Sequence, residues 1–428
     1  MENSRTHLAI LILLLAAHLG VALLFSAGNP LGEAPDEADH WAYVVYLATE
    51  HSLPVGPQVT QSKHPPFYHA TAALIADLFA EPSFTFLRAN PDMRVPPPPE
   101  GPFNFFIHTS LEQWPWQDGP FAFHLARLWS VLLSMGTVLA VYGVARNAFP
   151  DAPELALTAT GVLAFLPTFA FIGSAVSNDG PAAFFGGLGL WGAFRIYRHG
   201  RWRAGWWTPL ALGLGLLTKV SVVAVWLPVG LLLLAAAGRS PAGGWSGWRG
   251  LATQWRRVLG LGLVTFGPAL AIAAPWFLRN WRLYGDPLGL ELARQTIDQR
   301  LAPWTWGDTW WLLKGWFLSF WGRFGAIGQL AQPAWLDGLI LLASLISAAG
   351  LVRVLLGGNG RGLRFPAGVL GLTALSVAAV MWRYSLIALG TDQGRLLYPA
   401  LTALILLWTL GLWSWVRPRW RRRLGIGL

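Results

Sequence analysis

Residues 8–40 read LAILILLLAAHLGVALLFSAGNPLGEAPDEADH, and the join between the two halves of this stretch decides how the chain is read. The apolar run from Leu8 to about Phe25 is long enough for a membrane-crossing helix. Directly after it come three acids and a histidine within five residues, in Pro35-Asp36-Glu37-Ala38-Asp39-His40. Carboxylates at a bilayer surface are costly to keep, so this arrangement predicts a site where a lipid-borne substrate meets a water-borne one.

The rest of the chain repeats the first half of that pattern. Of 428 residues, 54% are hydrophobic and 12% charged, too few charges to cover a globular surface. Apolar runs predict spans near 8–27, 121–145, 155–173, 181–197, 206–219, 220–237, 258–278, 335–355, 365–383 and 396–416. The expected fold is therefore an all-α polytopic membrane protein of about ten helices, a single domain over 1–428 with both termini on one side. The first span is longer than a signal-peptide h-region and lacks a clean small-x-small site after it, so an uncleaved helix is expected. Cysteine is absent, which excludes disulfides and thiolate metal sites.

Charge sorts the two sides. The termini and the loops near 146–154, 195–205, 239–257 and 353–364 sum to +15, and the remainder to −5, within a net +10. By the positive-inside rule the basic side is cytoplasmic and the acidic cluster faces out, in a cell or inner membrane. The basic tail Arg417-Pro418-Arg419-Trp420-Arg421-Arg422-Arg423 reads as an anchor on anionic lipid rather than a nucleic-acid arm.

Two long outer loops follow from these spans. The first, 28–120, carries helical stretches near 36–53 and 65–80, expected to lie in the interface, then Pro96-Pro97-Pro98-Pro99, which neither helix nor sheet interior accepts. The second, 279–334, holds an aromatic stretch from Trp304 to Trp316, expected to be a re-entrant or surface helix. Its tryptophans fit an interfacial belt or a sugar-stacking surface.

Within the acidic cluster, Asp36 is placed to cap the following helix, with Glu37 and Asp39 favouring its positive end. Capping needs only one acid. Helical spacing puts Asp36, His40 and Tyr43 on one face, where a carboxylate can serve as general base toward a hydroxyl. Among 31 basic side chains only three are lysines, Lys63, Lys219 and Lys314, all expected on the outer side. Lysine is a compact point charge suited to phosphate. Lys63 stands in Lys63-His64-Pro65-Pro66-Phe67-Tyr68; Lys219 reads either as a contact or as a snorkelling helix end. Asp179, before Gly180-Pro181, reads either as a helix start or as a second carboxylate facing the site. Arg127 and Arg395 read as interface anchors or as ligands of an anionic headgroup. His40, His51, His64 and His69 lack metal-ligand spacing, so no zinc is required; a divalent metal is not indicated, and no cofactor or nucleotide loop is expected.

With these residues in place, the chain resembles the polytopic, lipid-phosphate-sugar-dependent GT-C glycosyltransferases. It is most similar to the family-39-like branch of protein O-mannosyltransferases and the lipid A aminoarabinose transferase. The resemblance rests on Pro35-Asp36-Glu37 with His40, Lys63 to Tyr68, Ala126-Arg127-Leu128, Asn178-Asp179, Leu217-Thr218-Lys219, Arg279-Asn280-Trp281 with Tyr284-Gly285-Asp286-Pro287, and Gln393-Gly394-Arg395. It implies an inverting transfer from a polyprenyl-phosphate sugar to an extracytoplasmic glycan, lipid or protein. Asp36 would be the base and Glu37 its support, with Asp179 a second acid. Lys63 would sit at the lipid phosphate, Arg127 would order the acidic cluster, and Lys219 and Arg395 would make secondary phosphate contacts. His40, His64 and Tyr68 would complete the substrate-binding set. A lipid or polysaccharide transporter, which would want charges near mid-bilayer, and a polysaccharide polymerase or ligase are the alternatives.

Overall fold

A computed structural model describes residues 2–94, 104–238, 252–357 and 361–417. The Pro96–Pro99 run, residues 239–251 of one basic loop and the tail beyond Arg417 lie outside the described residues.

Helices stand at all ten segments where apolar length asks for them. They are α1 (Glu2–Gly28), then, after two short helices α2 (Glu37–Glu50) and α3 (Phe67–Phe79), α4 (Asp118–Ala148), α5 (Pro153–Ala164) with α6 (Pro167–Gly173), and α7 (Asp179–His199). Next come α8 (Thr208–Leu216), a 3₁₀ turn (Val220–Val225) running into α9 (Trp226–Ala237), and α10 (Trp255–Tyr284). After α11 (Leu290–Gln295) and α12 (Trp306–Gly322), the chain closes with α13 (Ala334–Leu356), α14 (Arg361–Ser385), a 3₁₀ turn (Gly394–Ala400) and α15 (Leu401–Trp415).

Among the described residues, seven helices are long and apolar enough to cross a membrane, and the α5–α6 pair, bent by 65°, makes an eighth. Two of the ten expected spans account for the difference. The α7 helix has 21 residues, about 31 Å at 1.5 Å per residue, but glycine takes the place of apolar bulk in it. A Cβ at Gly186 would lie 2.4 Å from the Pro399 carbonyl oxygen, and one at Gly192 2.1 Å from Thr208 Oγ1. The sequence there is set by close packing, so α7 is a central, mostly buried helix. The α8 helix has only nine residues and breaks at Leu217–Lys219, which places a lysine at the break. Leu13, Leu24, Leu345 and Leu375 remain exposed on the outer faces, as the apolar bilayer permits.

The ends of α1, α4, α7 and the 394–415 segment that meet the first long loop form one end of the bundle. There α2 and α3 pack on one another and on α4 through Trp41, Tyr68 and Phe123. Leu74, Leu78 and Phe79 of α3 stay exposed, an apolar edge suited to the bilayer surface. On the far side of that end, α12 starts with a Thr305–Asp308 capping box and buries Leu312, Trp316 and Phe320, spaced four apart, against the 394–400 turn. Its Trp306 and Trp310 remain exposed.

Candidate active site

Asp36 occupies the N-cap position of α2 but makes no capping hydrogen bond. Its backbone is left-handed, φ 59°, a conformation unusual for a residue other than glycine. The capping reading is thus corrected: the carboxylate is turned away from the helix amides. Arg395 Nη2 donates to Asp36 Oδ2 at 2.6 Å, and Arg395 Nη1 donates to Asp179 Oδ2 at 2.5 Å. Lys219, from the α8 break, donates to the other oxygen of Asp179. Two acids and two cations from four distant parts of the chain thereby form a charge-balanced row. Asp179 is fully buried and Arg395 nearly so, whereas the Asp36 side chain is 49% exposed. Among the described residues, no hydrogen bond is made to Asp36 Oδ1.

The electrostatics at Asp36 are opposed. Its low-dielectric surroundings push its pKa up, but the charge of Arg395 and the hydrogen bond it donates outweigh them, holding the carboxyl below its usual range. It is an anion at neutral pH. His40, 2% exposed, shares a 2.8 Å hydrogen bond between its Nδ1 and His69 Nε2. Burial drives its pKa down to about 3, so it is neutral. His69 stacks on Tyr43 at 4.4 Å, and His64 lies 6.0 Å from His40, ring to ring. His40 and Tyr43 thus share a face of α2 backed by His69, while the Asp36 carboxylate turns to Arg395.

Lys63 Nζ donates to the Thr60 and Thr296 carbonyls, both at 3.1 Å, joining the first long loop to the second. Burial lowers its pKa, against the attraction of the nearby Asp36 and Asp39 carboxylates. Among the described residues, its third N–H has no acceptor. The Arg279–Pro287 stretch makes the same junction: Arg279 donates to the Pro54 carbonyl at 2.8 Å, and Tyr284 Oη accepts from the Gly56 amide at 3.2 Å.

Three predicted residues are held away from any open space. Glu37 and Arg127 are both 0% exposed and form a bidentate pair at 2.7 and 2.8 Å. Arg127 spends its remaining donors on the Ser26, Asn29 and Pro30 carbonyls, while Glu37 also accepts from the Gly32, Ala34 and Val176 amides. This pair staples the acidic turn to α4 and has nothing left for a ligand. Tyr68, also fully buried, shares a 2.8 Å bond with Ser130 and accepts from the Ser177 amide. These three position the site rather than line it.

Residues 103–275 match the family model described as dolichyl-phosphate-mannose-protein mannosyltransferase. Two solved structures of ArnT from Cupriavidus metallidurans, apo and bound to undecaprenyl phosphate, superpose with TM-scores of 0.53 and 0.51 at 17% identity. Each alignment covers 97% of this chain and 62% of ArnT. The apo oligosaccharyltransferase of Archaeoglobus fulgidus gives 0.52 at 12% identity, over 94% of this chain and 50% of that one. This chain has the GT-C fold. It spans less than two thirds of the length of those structures. A search of curated proteins finds no match.

Within this GT-C fold, sequence reasoning missed His69 and Thr296. In the sequence His69 reads only as a candidate metal ligand, and its i+5 distance from His64 hides its bond to His40. Thr296 acts through its backbone carbonyl, which leaves no trace in residue type.

Proposed function

We propose that this protein is an inverting membrane glycosyltransferase that moves a sugar from a polyprenyl-phosphate donor to an extracytoplasmic acceptor, with Asp36 as general base. The observation that carries this reading is the half-exposed Asp36 carboxylate, with Oδ1 uncommitted and Oδ2 fixed by Arg395. The match to the mannosyltransferase family model and the fold shared with an ArnT that binds undecaprenyl phosphate support the class of donor.

In the reaction, an acceptor hydroxyl gives its proton to Asp36 as its oxygen bonds to the anomeric carbon, and the bond from that carbon to the phosphate oxygen breaks. Negative charge grows on the departing phosphate, where the spare donor of Lys63 and the field of Lys219 and Arg395 stabilise it. An apolar groove of about 380 Å³ runs between Leu216 and Val220, which flank Lys219 in the chain, and Phe277 and Trp281 of α10. A prenyl chain suits such a lining, and its phosphate would then arrive on the lysine side of Asp36. Both termini are cytoplasmic in this reading, with the site on the outer face of the cell membrane.

Replacing Asp36 by Asn keeps shape and removes the base. Mass analysis of glycans and lipids from a deletion strain carrying Asp36→Asn should show the transferred sugar lost, with protein level unchanged. Normal sugar content would refute the assignment.

A further inference from the structure

Pro35 and Arg395 border a second space, a cavity of about 500 Å³ between α12 and residues 390–394. It begins one residue from Asp36 in the chain and shares Arg395 with it. Three polar groups on its walls are left unused by the fold, among the described residues. Lys314 is exposed and makes no ion pair, and the indole N–H of Trp311, a side chain 41% exposed, has no partner. The Asp392 carboxyl, partly buried, forms no ion pair and turns only to its own backbone amide. Burial pushes its pKa up.

The wall that carries Asp392 is fixed. Trp316 Nε1 donates to the Thr391 carbonyl at 2.8 Å, and the Gly394 amide donates to Ser319 Oγ at 2.6 Å. A Cβ at Gly394 would lie 2.6 Å from backbone atoms of α12, so the segment can pack there only as glycine. Asp392 is therefore presented from a rigid strip, as a ligand-binding group should be.

The mixture of groups selects the ligand. A bare phosphate would meet Lys314 and Arg395 but be repelled by Asp392. A hydrocarbon would leave a carboxylate and an ammonium against apolar surface without partners, which is unfavourable. A sugar ring satisfies all of them: its hydroxyls donate to Asp392 and accept from Lys314 and the indole N–H, and its apolar face covers an aromatic ring.

We propose that this cavity is a sugar chamber, with Asp392 and Lys314 as hydroxyl ligands and Trp311 as a platform, opening past Pro35 and Arg395 onto Asp36. The proposal deepens the transferase reading and rests on it. The occupant is either the glycosyl group of the donor or a glycan acceptor, which share this chemistry.

The chain has no cysteine, so one introduced thiol reports cleanly. Leu318→Cys, or Ile327→Cys should the first fold poorly, puts a thiol on the cavity wall of the full-length protein in nanodiscs. Its labelling by a maleimide is timed alone, with a panel of methyl glycosides and free oligosaccharides, and with farnesyl-phosphoryl sugars. We expect at least one sugar to slow labelling, and Asp392→Asn in the same background to weaken that protection about 10–100-fold in sugar concentration. Val223→Cys, in the apolar groove, should not respond to the free glycosides. Protection by farnesyl-phosphoryl sugar alone makes the occupant the donor's; protection by free glycan alone makes it the acceptor. No protection by any sugar, or protection unchanged by Asp392→Asn, overturns the chamber. Failure of the transferase reading is seen separately, as sugar transfer that survives Asp36→Asn while protection persists.

Discussion

Asp36 and Glu37 are neighbours in the chain, carry the same charge and each meet an arginine, yet they end in opposite situations. Both oxygens of Glu37 are bonded, its partner Arg127 is saturated, and neither side chain has any exposed surface. Asp36 is half exposed, with one oxygen committed, and its arginine is shared with a second acid. A buried ion pair whose every hydrogen bond is satisfied holds structure, because breaking it strands a charge. A pair left partly open at a cavity can exchange one partner for a substrate at little cost. The difference separates two roles that residue type alone does not.

Substitutions on the closed and open sides should have unequal effects. The largest effect falls on the closed pair: Arg127→Ala leaves Glu37 buried and uncompensated, and should cost about 3–5 kcal/mol of stability. Thermal unfolding in detergent, with the yield of folded protein, measures it; an unchanged melting curve would remove the staple role. On the open side, Arg395→Ala should leave the fold in place while sugar transfer falls roughly 10²–10³-fold. Arg395→Lys should not restore it, since a single ammonium cannot span Asp36, Asp179 and Gln393 as the guanidinium does. Lys63→Ala removes one charge-assisted contact and should lower use of the lipid donor about 10–100-fold, with acceptor dependence unaltered. Donor titrations in membranes check this, and an unaltered donor dependence would move the phosphate elsewhere.

A smaller effect is expected in the first long loop. His108 bonds Glu112 at 2.8 Å and Glu33 at 3.2 Å, fastening the 104–113 segment near the start of α2. Those two hydrogen-bonded carboxylates raise its pKa to about 9. Because the folded value lies above the ordinary one of 6.5, the contribution is complete below about pH 6.5 and is lost as pH rises through about 9. Hydrogen exchange over residues 104–113 should quicken across that window, and His108→Gln should flatten the dependence. The same pH profile in both proteins would exclude the latch.

The sequence held more of the fold than of the site, for a physical reason. Hydropathy is a local sum, so ten helical segments could be read from it, and only α7 and α8 deviated. In α7, glycines exchange hydropathy for backbone contact with Pro399 and Thr208, which a window average cannot register. Asp36, Asp179, Lys219 and Arg395 were legible as scarce charges near span ends. Their pairing was not, since Asp36 and Arg395 are 359 residues apart. Glu37 and Asp36 looked alike because burial, which distinguishes them, depends on where α4 passes. Asp392 is not marked in the sequence because its significance is the lack of an ion-pair partner among the described residues, which shows only when the cavity around it is built.

In the proposed mechanism Asp36, not its neighbour, meets the substrate. This is tested most directly by comparing Asp36→Asn with Glu37→Gln in membranes of a strain lacking the native copy, reading sugar transfer and melting temperature together. We predict that Asp36→Asn loses roughly 10²–10⁴-fold in transfer with its melting temperature retained, and that Glu37→Gln loses melting temperature first. Transfer preserved in Asp36→Asn at equal protein amount, or the two patterns interchanged, would contradict it.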